Sequence, residues 1–175
     1  MHKDVVIIAL MLLSLGLASC SRLLTPSPGN GLEPVELRLI LAKERYGLAE
    51  PMKVTLVLAN TTQEQVLVNA RMAHNRADAP NPFREVTFVI IGPDGRQITT
   101  DARIDVGFPS DGDFTYLAPG RPIERTYTQV RDLYAARVAG VYSIQAVYEN
   151  HSDPSFGAAW KGKVTSSPVT FVLEP

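Results

Sequence analysis

The sequence predicts an all-β chain, a single antiparallel sandwich of seven to nine strands, and three observations predict it. Apolar and polar residues alternate with a period of two in several separate runs. Turn-forming pairs, among them Asp94-Gly95 and Pro119-Gly120, separate those runs at short intervals. No stretch sustains a helical period beyond two turns, and no internal repeat is present.

The strands follow in order. Val35, Leu37, Leu39 and Leu41 alternate with Glu36, Arg38, Ile40 and Ala42, the pattern of a half-buried strand. Tyr46 to Pro51 reads as a turn region. Met52, Val54, Leu56 and Leu58 alternate with Lys53, Thr55, Val57 and Ala59 in a second strand, and Asn60 to Gln63 turns the chain. Val66 to Val68 makes a third, shorter strand. Arg71 to Phe83 is polar, carries His74, Asn75, Asp78, Pro80, Asn81 and Pro82, and reads as a long loop. Val86 to Ile91 is the most β-prone run of the chain. Gly92-Pro93-Asp94-Gly95-Arg96 closes a hairpin onto Gln97 to Thr100, with Asp-Gly suited to the positive φ angles of such turns. Asp101 to Gly112 is irregular, Phe114 to Leu117 is a short strand, and Ile123 to Val130 is another. Arg131 to Val138 fits one helical turn. From Gly140, Tyr142, Ile144, Ala146 and Tyr148 share one face of the clearest late strand. Asn150 to Lys163 is a loop, and Val169, Phe171 and Leu173 form the inward face of the last strand.

The first nineteen residues are of another kind. After Met1-His2-Lys3-Asp4, Val5 to Leu17 is apolar except for Ser14 and Gly16, and small residues follow. The run is short for a membrane span and ends in a cleavage context, so residues 1–19 read as a secretory signal peptide. Leu17-Ala18-Ser19-Cys20 resembles the lipobox of bacterial lipoproteins, and Cys20 is the only cysteine of the chain. The resemblance implies cleavage before Cys20 and lipidation of its thiol, hence a membrane anchor of two or three acyl chains, which holds far better than one. Ser21 stands after the cysteine where an Asp would retain an enteric lipoprotein in the inner membrane, so the expected location is the bacterial envelope, at the outer membrane, facing periplasm or surface. Residues 20–32, with Pro26, Pro28, Gly29, Asn30 and Gly31, read as a tether, and residues 33–175 as the domain.

Removing residues 1–19 from the 175 leaves 156, enough for one domain with a sizeable core. Lys3 and Asp4 cancel, so the net charge stays at −1 without the signal, and nothing in it favours nucleic acid. With no partner for Cys20, the fold has to rest on packing alone.

Gly140-Val141-Tyr142-Ser143-Ile144-Gln145-Ala146 resembles the penultimate strand of an immunoglobulin-like domain, in which a tyrosine near the strand start turns its hydroxyl back onto the preceding corner. Leu117-Ala118-Pro119-Gly120, Trp160 to Ser166 and Tyr46 to Met52 with Asn60-Thr61-Thr62 are similar to segments of bacterial immunoglobulin-like modules, such as the non-catalytic modules of secreted proteases and proteinase-inhibitor domains. The resemblance spans Val35 to Leu173, implies the fold with Tyr142 as corner residue, and implies no activity, since such sandwiches host many roles. Unlike antibody domains, the chain lacks a cysteine pair between sheets.

Chemistry is sparse. His74 and His151, the two histidines outside the signal, both fall in loops and read as solvated. No HExxH, second cysteine, GxSxG or phosphate loop is present, so no catalytic residue, metal or cofactor is expected. Asp101, Asp105, Asp111 and Asp113 lie in one irregular stretch where oxygen ligands would suit calcium, but Arg103 is a ready counter-ion and turn-forming Asp residues account for the pattern equally. Two loops are candidate partner-binding surfaces. One holds Arg71, His74 and Arg76; the other holds Phe156 and Trp160, and Trp160 either anchors a partner or caps the core. The expected function is a non-catalytic binding or interaction module, anchored to the membrane through Cys20 and contacting an envelope protein. The alternative is a proteinase inhibitor that presents Arg71 to Phe83, stiffened by Pro80 and Pro82.

Overall fold

A computed structural model describes residues 33–76, 84–100 and 106–175. The signal peptide, Cys20 and the tether lie outside the described residues, as do residues 77–83 and 101–105.

The chain is all-β, built as antiparallel and mixed sheets around one core. Eleven strands form among the described residues, and nine of them have four residues or more. Strands β1 (Val35–Leu41), β3 (Val54–Asn60) and β8 (Ile123–Tyr127) make an antiparallel sheet in the order β1-β3-β8. A larger sheet runs in the order β2 (Arg45–Gly47), β11 (Val169–Glu174), β9 (Gly140–Asn150), β5 (Val86–Ile91), β6 (Gln97–Ile98). Here β10 (Gly162–Thr165) pairs with the last four residues of β9, on the edge that β11 occupies nearer the start of β9. The third sheet is the pair β4 (Val66–Asn69) and β7 (Phe114–Leu117).

Alternation explains the layers. Val35, Leu37 and Leu39 of β1 and Val54, Leu56 and Leu58 of β3 are buried against Val86, Phe88 and Ile90 of β5, with Tyr142, Ile144, Ala146 and Tyr148 of β9 and Phe171 and Leu173 of β11. Each fully buried side chain of this size contributes roughly 1.5–3 kcal/mol, which is how the domain stands without a disulfide. Gly95, at φ 77°, sits in the hairpin turn where the Asp-Gly pair placed it.

Three stretches differ from the sequence expectation. The turn region at Tyr46 contains β2, which pairs in parallel with β11 and puts Tyr46 into the core edge-on to Phe171 at 6.3 Å. A three-residue strand is too short to show a period. Strand β10 occupies the end of the expected loop Asn150 to Lys163. Residues Arg71 to Arg76, expected as the start of a polar loop, are packed inward. Val86 donates to the carbonyl of Ala73 at 3.0 Å and Asn75 donates to that of Val86 at 2.7 Å, so the segment runs parallel to the start of β5 and buries Met72 completely.

The corner is formed. The Tyr142 hydroxyl donates to the Val138 carbonyl at 2.7 Å, and its ring stacks on Phe171 at 5.2 Å. Tyr142→Phe keeps the stack and removes only the bond. An expected loss of about 0.5–1.5 kcal/mol, the net worth of one hydrogen bond to a solvent-accessible carbonyl, is checked by the urea midpoint; an unchanged midpoint would mean that the corner bond carries no stability.

Candidate functional site

The fold lays Ala73 to Asn75 beside the start of β5, and Arg71, His74 and Arg76 each do something different. Arg71 donates through Nε to Glu85 Oε1 at 2.9 Å, and its Nη2 pairs with the same carboxylate. Glu85 Oε2 accepts from the amide of Ala73 at 2.7 Å. The remaining guanidinium donors reach the carbonyls of Val106 at 2.9 Å, Gly107 at 3.2 Å and Phe108 at 3.2 Å. One planar fork thus ties a carboxylate that is 1% exposed to the backbone of the loop before β7.

His74 is not solvated. It lies edge-on to Phe88 at 5.1 Å and stacks on Tyr134 at 5.9 Å. Burial in this aromatic box pushes its pKa down to about 4, so the ring is neutral. The amide of Arg76 donates to Asn75 Oδ1 at 2.8 Å. The expected solvated histidine is therefore corrected: the His74 ring packs against Phe88 and Tyr134, Met72 is buried beside it, and Arg71 pairs with Glu85.

A second charged group adjoins the first. Glu149, near the end of β9, lies opposite Glu85 and donates its amide to the Glu85 carbonyl at 2.8 Å. Like charges directly opposite in a sheet repel, and each carboxylate has its own cations. Glu149 accepts from His151 Nε2 at 3.1 Å and lies 3.4 Å from Lys163 Nζ and 3.8 Å from Arg84 Nη1. Burial works against its ionisation, but the bonds from His151 and Lys163 and the charges of Lys163 and Arg84 outweigh it and hold the carboxyl below its usual range. Sequence reasoning missed Glu85 and Glu149. The available signal was a charged residue at the edge of each of two strongly apolar runs, Glu85 just before β5 and Glu149 near the end of β9.

These groups fix two loops. Asn150 Nδ2 donates to the carbonyls of Ser152 at 3.0 Å and Trp160 at 2.6 Å, pinning both ends of loop 151–161. Ser155 donates its amide to Asp111 Oδ1 at 2.7 Å, and its hydroxyl bonds the same carboxylate, which joins this loop to the 3-10 turn Asp111–Asp113. Those Ser155 bonds hold the Asp111 carboxyl below its usual range. Asp113 accepts from the Ser110 amide at 2.7 Å, so both described aspartates of the stretch considered for calcium make loop hydrogen bonds; Asp101, Arg103 and Asp105 lie outside the described residues. Among the described residues no group of three or more potential metal ligands forms.

Trp160 caps the core. It stacks on Tyr148 at 5.8 Å and 15°, its amide donates to the Leu67 carbonyl at 2.8 Å, and its indole Nε1 donates to Glu33 Oε2 at 3.0 Å. Loop 151–161 is thereby laid over the outer face of the β4–β7 pair, where Leu67, Phe114 and Ala159 form a small separate cluster. On this face and its margins three large side chains stay in solvent: Phe108 is 68% exposed, Tyr116 57% and Phe156 55%. Trp160 reaches this surface from one side, while Arg71 supports it from within through the carbonyls of residues 106–108. At its margin Lys161 is paired to Asp153 and Lys163 to Glu149. The arrangement is suited to holding two loops rigid beneath exposed aromatic groups. Among the described residues no helix is long and apolar enough to cross a membrane. No protein-family model matches the chain, and no curated protein matches it.

Proposed function

We propose that this chain is a lipid-anchored, non-catalytic binding module of the bacterial cell envelope, an immunoglobulin-like sandwich held through Cys20. The observation that carries the reading is the contrast between its polar groups and its exposed apolar ones. Glu85 and Glu149 are occupied in ion pairs, while Phe108, Tyr116 and Phe156 stand in solvent, Phe108 on the loop that Arg71 holds, Phe156 on the loop that begins at His151, and Tyr116 on β7. Large exposed apolar groups on a pre-ordered surface lower the entropic cost of association. The Tyr142 corner bond supports the immunoglobulin-like assignment. Leu17 to Cys20, with Ser21 after it, supports the anchor and the outer-membrane location. The inhibitor reading keeps Arg71 to Phe83 as its loop, of which Met72 and Asn75 are buried and residues 77–83, with Pro80 and Pro82, lie outside the described residues.

A photocrosslinking residue placed at Phe156 in cells tests the reading, with the same residue at Ile40, also exposed but on the outer face of β1, as reference. Position 156 is expected to crosslink an envelope component about tenfold more than position 40, the discrimination of a specific surface over a bystander. Equal yields at both positions would overturn the assignment of this face.

A further inference from the structure

We propose that the partner of this face is the lipid bilayer itself, so that Tyr116 and Phe156 rest in the membrane interface beside the anchor. The inference rests on the lipid-anchor reading of Cys20. Its structural ground is where the described chain begins. Glu33 accepts from the indole of Trp160, the Pro34 carbonyl accepts from the amide of Thr61 at 3.0 Å, and the Glu33 carbonyl accepts from the Thr61 hydroxyl at 2.9 Å. The root of the domain is thus fixed against the loop that carries Phe156.

Neighbouring contacts place the aromatic groups at that root. Asn60 Nδ2 donates to the Leu117 carbonyl at 2.7 Å, which brings the end of β7 and its Tyr116 beside the turn that holds Pro34. A side chain added at Gly157 would meet Leu67 Cδ2 at 3.5 Å, and Leu67 is the register partner of Tyr116, so Phe156 flanks the same pair of strands. Only thirteen positions separate Glu33 from Cys20. Even fully extended, at ~3.5 Å per residue, they span about 45 Å. A surface so close to the anchor meets the bilayer at a high effective concentration, and two exposed rings then suffice where a free protein would need many more.

The chemistry selects the kind of lipid surface. Tyrosine and other amphipathic aromatics settle at the headgroup level, with ring buried and hydroxyl wet. The two lysines near the face are paired, Lys161 with Asp153 and Lys163 with Glu149. Neither lysine is thereby left free to select anionic lipid. The contact is therefore apolar and aromatic, is met by zwitterionic headgroups, and resists salt.

The chain offers its own probe, because Trp160 is its single tryptophan. The lipidated protein is reconstituted into phosphatidylcholine vesicles with or without bromine atoms at a shallow position of the acyl chains. Tryptophan emission is expected to fall about twofold in the brominated vesicles, as for a ring held at the interface, and to do so equally at low and high salt. Tyr116→Ser with Phe156→Ser should restore the emission while co-flotation and the melting temperature stay unchanged. Co-flotation without quenching would overturn the docking and leave the anchor standing, with a protein partner then assigned to the face. Quenching that persists in the double variant would overturn the role of these two residues. Loss of co-flotation by the native protein would overturn the anchor reading and the docking together.

Discussion

Arg71→Ala is expected to lower the unfolding free energy by about 3–5 kcal/mol, the cost of stranding one charge of a buried pair. The Glu85 carboxylate is 1% exposed, and among the described residues Arg71 is the cation bound to it. Without the guanidinium, Glu85 keeps the amide of Ala73 for one oxygen, while the carbonyls of residues 106–108 lose a shared donor. An arginine displayed for a partner would leave the denaturant midpoint where it was. The two roles are therefore separated by stability alone, before any partner is known. A second variant guards against a trivial loss of packing. Arg71→Met with Glu85→Leu replaces the pair by apolar groups of similar volume, and such replacements are often neutral. Recovery of most of the lost stability in the double variant identifies the stranded carboxylate as the cause. A midpoint unchanged by Arg71→Ala would show that the ion pair is not holding the fold.

Most of the strand framework was legible because it obeys local rules. Val35 to Leu39 and Tyr142 to Ala146 bury every second residue, as their alternation required, and the 92–96 hairpin carries the turn residues its geometry needs. The omissions are tertiary. Tyr46 belongs to a strand of three residues whose partner is β11, at the other end of the sequence. Tyr134 follows a single helical turn, yet its hydroxyl accepts from the amide of Phe88 at 3.2 Å in the centre of the domain. No window of sequence contains both ends of such contacts. The candidate site fared worst, and for a definite reason. Arg71 and His74 have the composition of a solvated loop, and their burial is settled by groups far along the chain, Glu85 for one and Phe88 with Tyr134 for the other. Trp160 was open to two readings. The stack on Tyr148 and the bond to Glu33 make it a cap that also reaches the exposed face.

Acid is expected to weaken the domain through His74. In the folded protein burial pushes its pKa down to about 4, whereas the unfolded chain has the ordinary value of 6.5. Above pH 6.5 the ring is neutral in both states and costs nothing. As the pH falls from 6.5 toward 4 the unfolded chain takes up the proton first, so stability is lost across that window and levels off below it. The shift corresponds to about 2–3 kcal/mol after allowance for the exposed part of the ring. Local bonding adds to the effect. Tyr134 accepts from Phe88 and meets His74 Nε2 at 3.4 Å, where a neutral ring can take its hydroxyl proton. A protonated Nε2 would offer a donor to a donor and leave the Tyr134 hydroxyl without that acceptor. The groups facing His74 are Phe88, Tyr127 and Tyr134, with no carboxylate among them to hold the charge. His74→Leu removes the titration and keeps an apolar group of similar size. Unfolding free energies measured between pH 7 and pH 4 should converge as the native protein loses about 2–3 kcal/mol more than the variant. The carboxylates held below their usual range, Glu149 and Asp111 among them, titrate in both proteins and drop out of the difference. Parallel curves over the whole window would show that His74 is protonated in the folded state as readily as in the unfolded one, and the aromatic box would then not be closed.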